Sequence, residues 1–285
     1  MNWHETIISI RQNPEYDDLV RLAYFDEDLI LNSERFSSSE EFEETLKLLK
    51  KYAPNGQSIL DIGAGNGISS INFAKKGYEV TAVEPDPSDT VGANAIRILK
   101  KHYELNNLSI HEKYAEEIGF ENGSFDIVYV RQAMHHAYQL PKFISECARV
   151  LKPGGILFTA RDHVIYNDAD KKWFLKMHPL HKFYGGENAF TAEEYKTAMT
   201  DAGLQIRHEM KFYDSPINYF PITTESISKF KENRLSYFKS ILSNRIGFIA
   251  NIPGIAFLYG LKVGDSIFDE KNVPGRMYSY ISQKI

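Results

Sequence analysis

Residues 60 to 70 read LDIGAGNGISS: the end of an apolar run, an acid, then glycines at alternate positions. Gly63 and Gly65, flanking Ala64, permit a positive φ and let backbone approach a ligand closely. Gly67 lets the next helix sit tight on a sheet. A second acid, Glu84, closes the following apolar run in AVEPDP, just before Pro85. Its carboxylate can accept hydrogen bonds from both hydroxyls of a ribose. The spacing chooses among nucleotides. Dinucleotide folds use G-x-G-x-x-G, whose helix N-terminus meets a pyrophosphate. Here the loop is G-x-G-x-G and its strand ends in Asp61, which would repel a phosphate and attract a cation.

A nucleoside with a ribose diol and a cationic amino-acid tail suits that pair of acids, and S-adenosylmethionine is one. Methyl transfer from a sulfonium is an in-line displacement. It needs the accepting atom close and on axis and, for a hydroxyl, a base. Gln132, His135 and His136 follow the apolar run FDIVYV, and Asp162 and His163 follow ILFTA. Successive helical histidines diverge by about 100°, so only one of His135 and His136 is expected to face a pocket. His163 is the favoured general base, because it leaves a strand's carboxyl edge and opens an inserted loop; Asp162 and His136 are the other catalytic candidates. In HPLHKFYGGEN, residues 178–188, the side chains of His181, Tyr184, Glu187 and Asn188 are candidates for a polar acceptor pocket. His178 and His181 are three apart, but Pro179 spoils a shared helix and no third ligand is evident, so no metal is expected.

These residues need a sheet to bring them together. The first fifty or so read as helices, YDDLVRLAYFDEDLI and then SSSEEFEETLKLLKKY, the latter charged in the order a helix dipole favours. Strand and helix signals then alternate from SILDI through ILFTARD, which implies parallel βαβ units in a doubly wound α/β sheet. TAEEYKTAMTDAG follows, with Thr191 and Glu194 at capping-box spacing, then the strand LQIRHEMKFY. The expected organisation is a helical cap at 1–56 and a nucleoside-binding domain at 57–285, with insertions at 163–190 and 214–275. In such sheets ligands bind where loops leave the strands' carboxyl ends.

ILDIGAGNGISS, AVEPDPS, YAEEIGFENGSFDIVYVRQAMHH and ARVLKPGGILF, spanning about residues 57 to 162, resemble in order the motifs of class I S-adenosylmethionine-dependent methyltransferases of the type 11-like kind. The resemblance implies a Rossmann-like seven-stranded sheet whose last strand, RMYSYISQKI, is antiparallel. It implies S-adenosylmethionine as cofactor and S-adenosylhomocysteine as product. Asp61 and the Gly63–Gly67 loop would hold the methionine end and Glu84, beside Pro85, the ribose. Ala115 and Glu116 would meet adenine, and Arg131 with Gln132 would bring main chain to the methionine amino group. Tyr114 departs from the family, which commonly has an acid there, so the exocyclic amine contact passes to Glu116 or a backbone carbonyl. Tyr24, Arg35 and Phe36 either form a lid over the cofactor or simply pack.

Composition narrows the partners. A chain of 285 residues, 43% hydrophobic, with net charge −5, carries no basic stripe, and nucleic acid is not expected as a partner. No NPPY-like tetrad, the feature of many base-amino methylases, follows FDIVYV; QAMHH stands there. Cys147 is the single cysteine, so no internal disulfide is available. MNWHETIISIRQNPEYDD lacks a basic segment before an apolar one, so the cytoplasm is the expected compartment. IGFIANIPGIAFLYGL, residues 246–261, is too short and interrupted to span a bilayer. Insertion 214–275 is open to three roles: covering the acceptor, pairing two subunits, or resting on the inner membrane surface near a lipid-linked substrate. The function expected is methyl transfer to oxygen, or as the lesser case nitrogen, of a small molecule, sugar or glycan. The competing class is a non-catalytic sensor or scaffold that binds the same nucleoside.

Overall fold

The structure is a computed structural model that describes residues 1–230, 232–233 and 269–285. Its centre is a sheet of β1 (Ser58–Ile62), β2 (Glu79–Val83), β3 (Leu108–His111), β4 (Phe125–Arg131), β5 (Leu151–Ile165), the two-residue β6 (Phe190–Thr191), β7 (Leu204–Met210) and β8 (Met277–Lys284). The strand order is β3-β2-β1-β4-β5-β8-β7, with β6 paired to β5 off this path. β8 lies between β5 and β7 and is antiparallel to both. The doubly wound α/β sheet with an antiparallel last strand is therefore as expected.

Register explains why the chemistry gathers at one edge. Ile62 pairs with Val83 of β2 and with Val130 of β4, so the loops after β1, β2 and β4 leave together. Arg131 pairs with Ala160, which carries Asp162 and His163 past the end of β4. β8 then continues the ladder beside them, Asp162 against Tyr278 and His163 against Met277. β5 runs on to Ile165, so His163 stands inside a strand rather than opening a loop as expected.

Helices cover both faces: α5 (Ile68–Lys75) and α6 (Ala93–His102) follow β1 and β2, while α7 (Leu140–Val150) precedes β5. One core layer gathers Phe42, Phe73, Tyr129 and Phe158, the other Phe143, Cys147, Leu157 and Tyr195. The N-terminal residues form α1 (Trp3–Arg11), α2 (Asp17–Leu22), α3 (Leu29–Ser37) and α4 (Glu40–Tyr52). YDDLVRLAYFDEDLI is thus two helices, not one. Tyr24 at φ 60 breaks it, and Asp28 caps the restart by accepting from the Ile30 and Leu31 amides. Helices α8 (Asp168–Met177) and the short α9 (His181–Tyr184) fill the first insertion, and α10 (Ala192–Asp201) opens with the anticipated Thr191–Glu194 capping box. The apolar stretch 246–261 and much of insertion 214–275 lie outside the described residues; the short α11 (Pro216–Tyr219) stands at its start. Among the described residues no helix is long and apolar enough to cross a membrane.

Candidate active site

A cavity of about 1090 Å³ opens over the carboxyl ends of β1, β2, β4 and β5. Asp61, Gly63, Ala64, Gly65, Glu84 and Pro85 line one end. Asp61 is buried, accepts a hydrogen bond from Ser70 Oγ at 2.5 Å, and burial pushes its carboxyl up to about 6. Glu84 is nearly as buried and burial lifts it to about 7, although the Gly65 and Asp86 amides donate to it at 2.7 and 2.9 Å. Two desolvated carboxyls at neighbouring strand tips fit a ligand that brings one ammonium and one diol. The loop leaves room for it: a Cβ on Gly65 would meet only Val91 O at 3.9 Å. Gly63, at φ +68, admits no side chain, since a Cβ would stand 2.5 Å from that of Ala133. Gly67 does not line the cavity; its missing Cβ makes room for Ile96 of α6, so its work is packing.

Ala115 and Glu116 line the far wall of this end. One carboxylate oxygen of Glu116 accepts from the Tyr138 amide at 3.0 Å, which commits it to the backbone. Gln132 and Arg131 also line the cavity, Gln132 turning out of β4 at φ 52. The Arg131 guanidinium is bound through Nε and Nη2 to Glu41 of α4 at 2.6 and 3.0 Å. Glu41 is fully buried, and this charge-paired fork ties the helical cap to the tip of β4. Sequence reasoning missed Glu41, a glutamate in the first turn of a helix with an ordinary charge pattern. Tyr24 and Phe36 sit in the core and Arg35 pairs with Asp26, so these three pack; of the N-terminal residues, Trp3, Leu19 and Phe25 line the cavity.

At the other end, His135, His136, His163, His178, Tyr184 and Glu187 converge. His135 Nδ1 lies 3.0 Å from Asp162 Oδ1, which also accepts the His135 amide at 3.0 Å. Its Nε2 is 3.7 Å from Glu187 Oε2, while His136 Nε2 is 4.0 Å from the same oxygen. His178 Nδ1 is 3.6 Å from Glu187 Oε1, which also accepts from Tyr184 Oη. His163 is tied by Nδ1 to the Gly275 carbonyl at 2.7 Å. A carbonyl only accepts, so Nδ1 carries the proton and Nε2 a lone pair. Burial opposes charge on His135, but Asp162 and Glu187 outweigh it and hold the ring at about 9. Burial and the neighbouring His135 lower His136 to about 4 and His163 well below its ordinary value. Burial alone would raise Glu187; His135 and His178 instead bring it far below the usual carboxylate range.

Four expectations about this end change. Both His135 and His136 line the cavity, because Met134–His136 is a single 3₁₀ turn with ring centroids 4.1 Å apart, not an α-helix that splays them. Asp162 is fully buried behind His135 and does not itself line the cavity, so it positions rather than touches. His181 and Asn188 do not line it either, whereas Tyr184 and Glu187 do. His178, set aside for want of a partner, points its Nδ1 at Glu187; residues 178 and 187 meet only because α9 folds the insertion back.

The family of methyltransferase domains matches residues 32–209. The chain belongs to that family. It is identified as a member of the class I S-adenosylmethionine-dependent methyltransferase family. The chain is 31% identical over 115 residues, 39% of its length and 43% of the relative's, to a ubiquinone biosynthesis O-methyltransferase of Methylocella silvestris. It spans less than two thirds of the length of the curated relatives it matches first. Among solved structures, a putative sarcosine dimethylglycine methyltransferase from Galdieria sulphuraria superposes with TM-score 0.55 at 18% identity, over 86% of this chain and 84% of that one. The [4+2]-cyclase SpnF does so with TM-score 0.55 at 19% identity, over 85% and 80%. At such identities these likenesses concern the fold of the methyltransferase, not its acceptor.

Proposed function

We propose that the protein transfers a methyl group to a hydroxyl oxygen of a small molecule with an apolar body. The observation that carries this reading is a cavity with two chemically different ends: paired carboxyls on a glycine loop, and a cluster of imidazoles around Glu187. Between them the walls are largely apolar, with Leu19, Phe25, Phe174, Phe212, Tyr219 and Met277, which suits an apolar acceptor better than a free sugar. The name carried by the curated relatives favours oxygen over nitrogen.

S-adenosylmethionine supplies an electrophilic methyl on a sulfonium. Asp61 holds the ammonium and Glu84 the ribose hydroxyls, with the backbone of Gly63, Ala64 and Gly65 against the ligand and Ala115 and Glu116 at the adenine. Arg131 contributes main chain there, its side chain being bound to Glu41. The hydroxyl must shed its proton as the new O–C bond forms, and the uncharged imidazoles of His136 and His163 stand in the same cavity to receive it. Asp162 fixes the His135 ring and the Gly275 carbonyl fixes that of His163. Trp3 and Phe25 exclude water from above.

The test is transfer of a labelled methyl from S-adenosylmethionine to cell extract split into soluble and lipid-extractable fractions, followed by a panel of phenols, alcohols, amines and sugars. Label is expected on an oxygen of an apolar compound. Tight binding of S-adenosylhomocysteine with no transfer to any fraction would instead indicate a non-catalytic sensor, and label on nitrogen would overturn the hydroxyl assignment.

A further inference from the structure

Among the described residues, His135, His163 and Glu187 are all buried and offer donor atoms within 4.8 Å of one another. Each donor is oriented from behind. Asp162 holds Nδ1 of His135, the Gly275 carbonyl holds Nδ1 of His163, and Tyr184 Oη donates to Oε1 of Glu187. The remaining atoms, two Nε2 and Glu187 Oε2, therefore turn inward. No hydrogen-bond partner among the described residues reaches Oε2, and a proton on His135 Nε2, 3.7 Å away, is too far to serve it. His178 Nδ1 is likewise buried and without a hydrogen bond. Buried polar atoms left this way are costly, and a metal cation among the two Nε2 atoms and the carboxylate would satisfy all three, taking the place of a proton on His135.

We propose that His135, His163 and Glu187 bind one divalent transition-metal ion, of the zinc class, whose free position faces the cavity. The proposal rests on reading this end as the acceptor end. Two imidazoles and one carboxylate form a ligand set that zinc uses in catalytic sites, with the fourth position left for water or substrate. Magnesium and calcium prefer oxygen alone. Ligands about 2.0–2.1 Å from a tetrahedral ion stand roughly 3.4 Å apart, so the 3.7 Å between His135 and Glu187 needs little closure, and the whole set, within 4.8 Å, needs at most about 1.4 Å. The carboxylate behind His135 and the carbonyl behind His163 are the outer contacts that fix an imidazole tautomer for a metal. An acceptor hydroxyl bound to the ion loses its proton more readily and presents its oxygen as a nucleophile. That proton leaves to water or to a neighbouring ring, His136 or His178, and the ion's oxidation state does not change.

The experiment uses the full chain, stripped with a chelator and titrated with Zn²⁺ alone against a chromophoric chelator. A parallel Co²⁺ titration is followed by its visible absorption. One equivalent is expected, with the intense cobalt bands of low coordination. His163→Ala and Glu187→Gln should each weaken binding by at least about 100-fold, and Asp162→Asn by about 10–100-fold. The exposed His102→Ala should change nothing, and retained S-adenosylhomocysteine binding will show that each variant is folded. Substoichiometric uptake, or equal uptake by the variants, overturns the proposal. So does methyl transfer that persists at full rate in metal-free protein, an outcome that leaves the hydroxyl assignment standing. Because uptake is measured without acceptor, failure of every hydroxyl compound as substrate would count against that assignment and not against the ion.

Discussion

The two ends of the cavity are built by different rules. The cofactor end comes from consecutive strand tips, where Asp61, the glycine loop and Glu84 follow one another within residues 61–84 and much of the contact surface is backbone. The acceptor end is made of side chains from distant places: a 3₁₀ turn at Met134–His136, strand β5, the insertion, and the Gly275 carbonyl, 112 residues from His163. A backbone site is set by strand register and tolerates different side chains around it. A side-chain site depends on each member and on whatever holds that member. The first end should therefore be sensitive to charge at two positions only, the second to nearly every residue in it.

The largest expected effect tests that separation. Glu187→Gln keeps the side chain's size and removes the charge around which the imidazoles gather, and turnover should fall by about 10²–10⁴-fold, the range lost when a general base is no longer held in place. S-adenosylhomocysteine affinity should stay within about twofold, because Glu187 lies at the far end from the glycine loop. Asp61→Asn should do the reverse. Losing a charged hydrogen-bond partner for the ammonium costs about 1.5–3 kcal/mol, so S-adenosylhomocysteine should bind about 10–100-fold more weakly. Calorimetry and steady-state rates on both variants measure the contrast. Equal loss of cofactor affinity in the two would mean that the ends are one coupled site.

The same contrast explains what could be read from the sequence. The sheet and the glycine loop were legible because each follows from local spacing, namely period, turn glycines and an acid at the strand end, while the antiparallel last strand was implied only by the family resemblance. The capping box at Thr191 and Glu194 was legible for the same reason. Glu41 was not, because its partner Arg131 is 90 residues away and nothing in either neighbourhood marks the pair. His135 was weighed against His136 on helical geometry, and a 3₁₀ turn made that geometry inapplicable. His181 and Asn188 were chosen by composition alone, and fold position rather than residue type decides which members of a polar loop face a cavity. Gly275 had no signature at all, yet a Cβ there would stand 2.1 Å from the Phe174 ring, and His163 owes its orientation to this glycine at the end of the second insertion.

A smaller effect should appear at the cofactor end as pH changes. Burial is the main force raising Asp61 to about 6, with Ser70 and Arg131 opposing it, and Glu84 to about 7, with the Asp86 and Gly65 amides opposing and Asp86 and Asp61 reinforcing it. The ligand's ammonium favours ionised Asp61 and its ribose hydroxyls favour ionised Glu84, so S-adenosylhomocysteine affinity should drop by about 10–20-fold from pH 8 to pH 6, about twofold of it through Asp61 and the rest through Glu84. The ligand-free protein should show the opposite trend. A carboxyl raised on folding binds more protons in the folded state, so its contribution to stability is full below about pH 4 and is lost as pH rises through 6 to 7. The thermal shift produced by S-adenosylhomocysteine should therefore widen with pH across that window. A constant shift would mean that neither acid changes protonation when the ligand binds.

The smallest effect concerns Trp3, which touches both regions. Trp3 lies edge-on to Phe25 at 5.5 Å and to Tyr184 at 5.0 Å, so it joins the helical cap to the acceptor loop while lining the cavity. Each aromatic pair is worth about 0.5–1.5 kcal/mol, and Trp3→Ala should raise the acceptor KM by about threefold to tenfold while leaving kcat nearly unchanged. The reasoning is that Tyr184 donates to Glu187, so a loosened Tyr184 frees the loop without removing any charged group. Kinetics with acceptor and cofactor varied separately decide which end Trp3 serves. A rise confined to the acceptor KM assigns α1 to the acceptor end. A rise confined to the cofactor KM would make the cap part of the nucleoside pocket, and the boundary between the two regions would then run through Tyr184 rather than through Trp3.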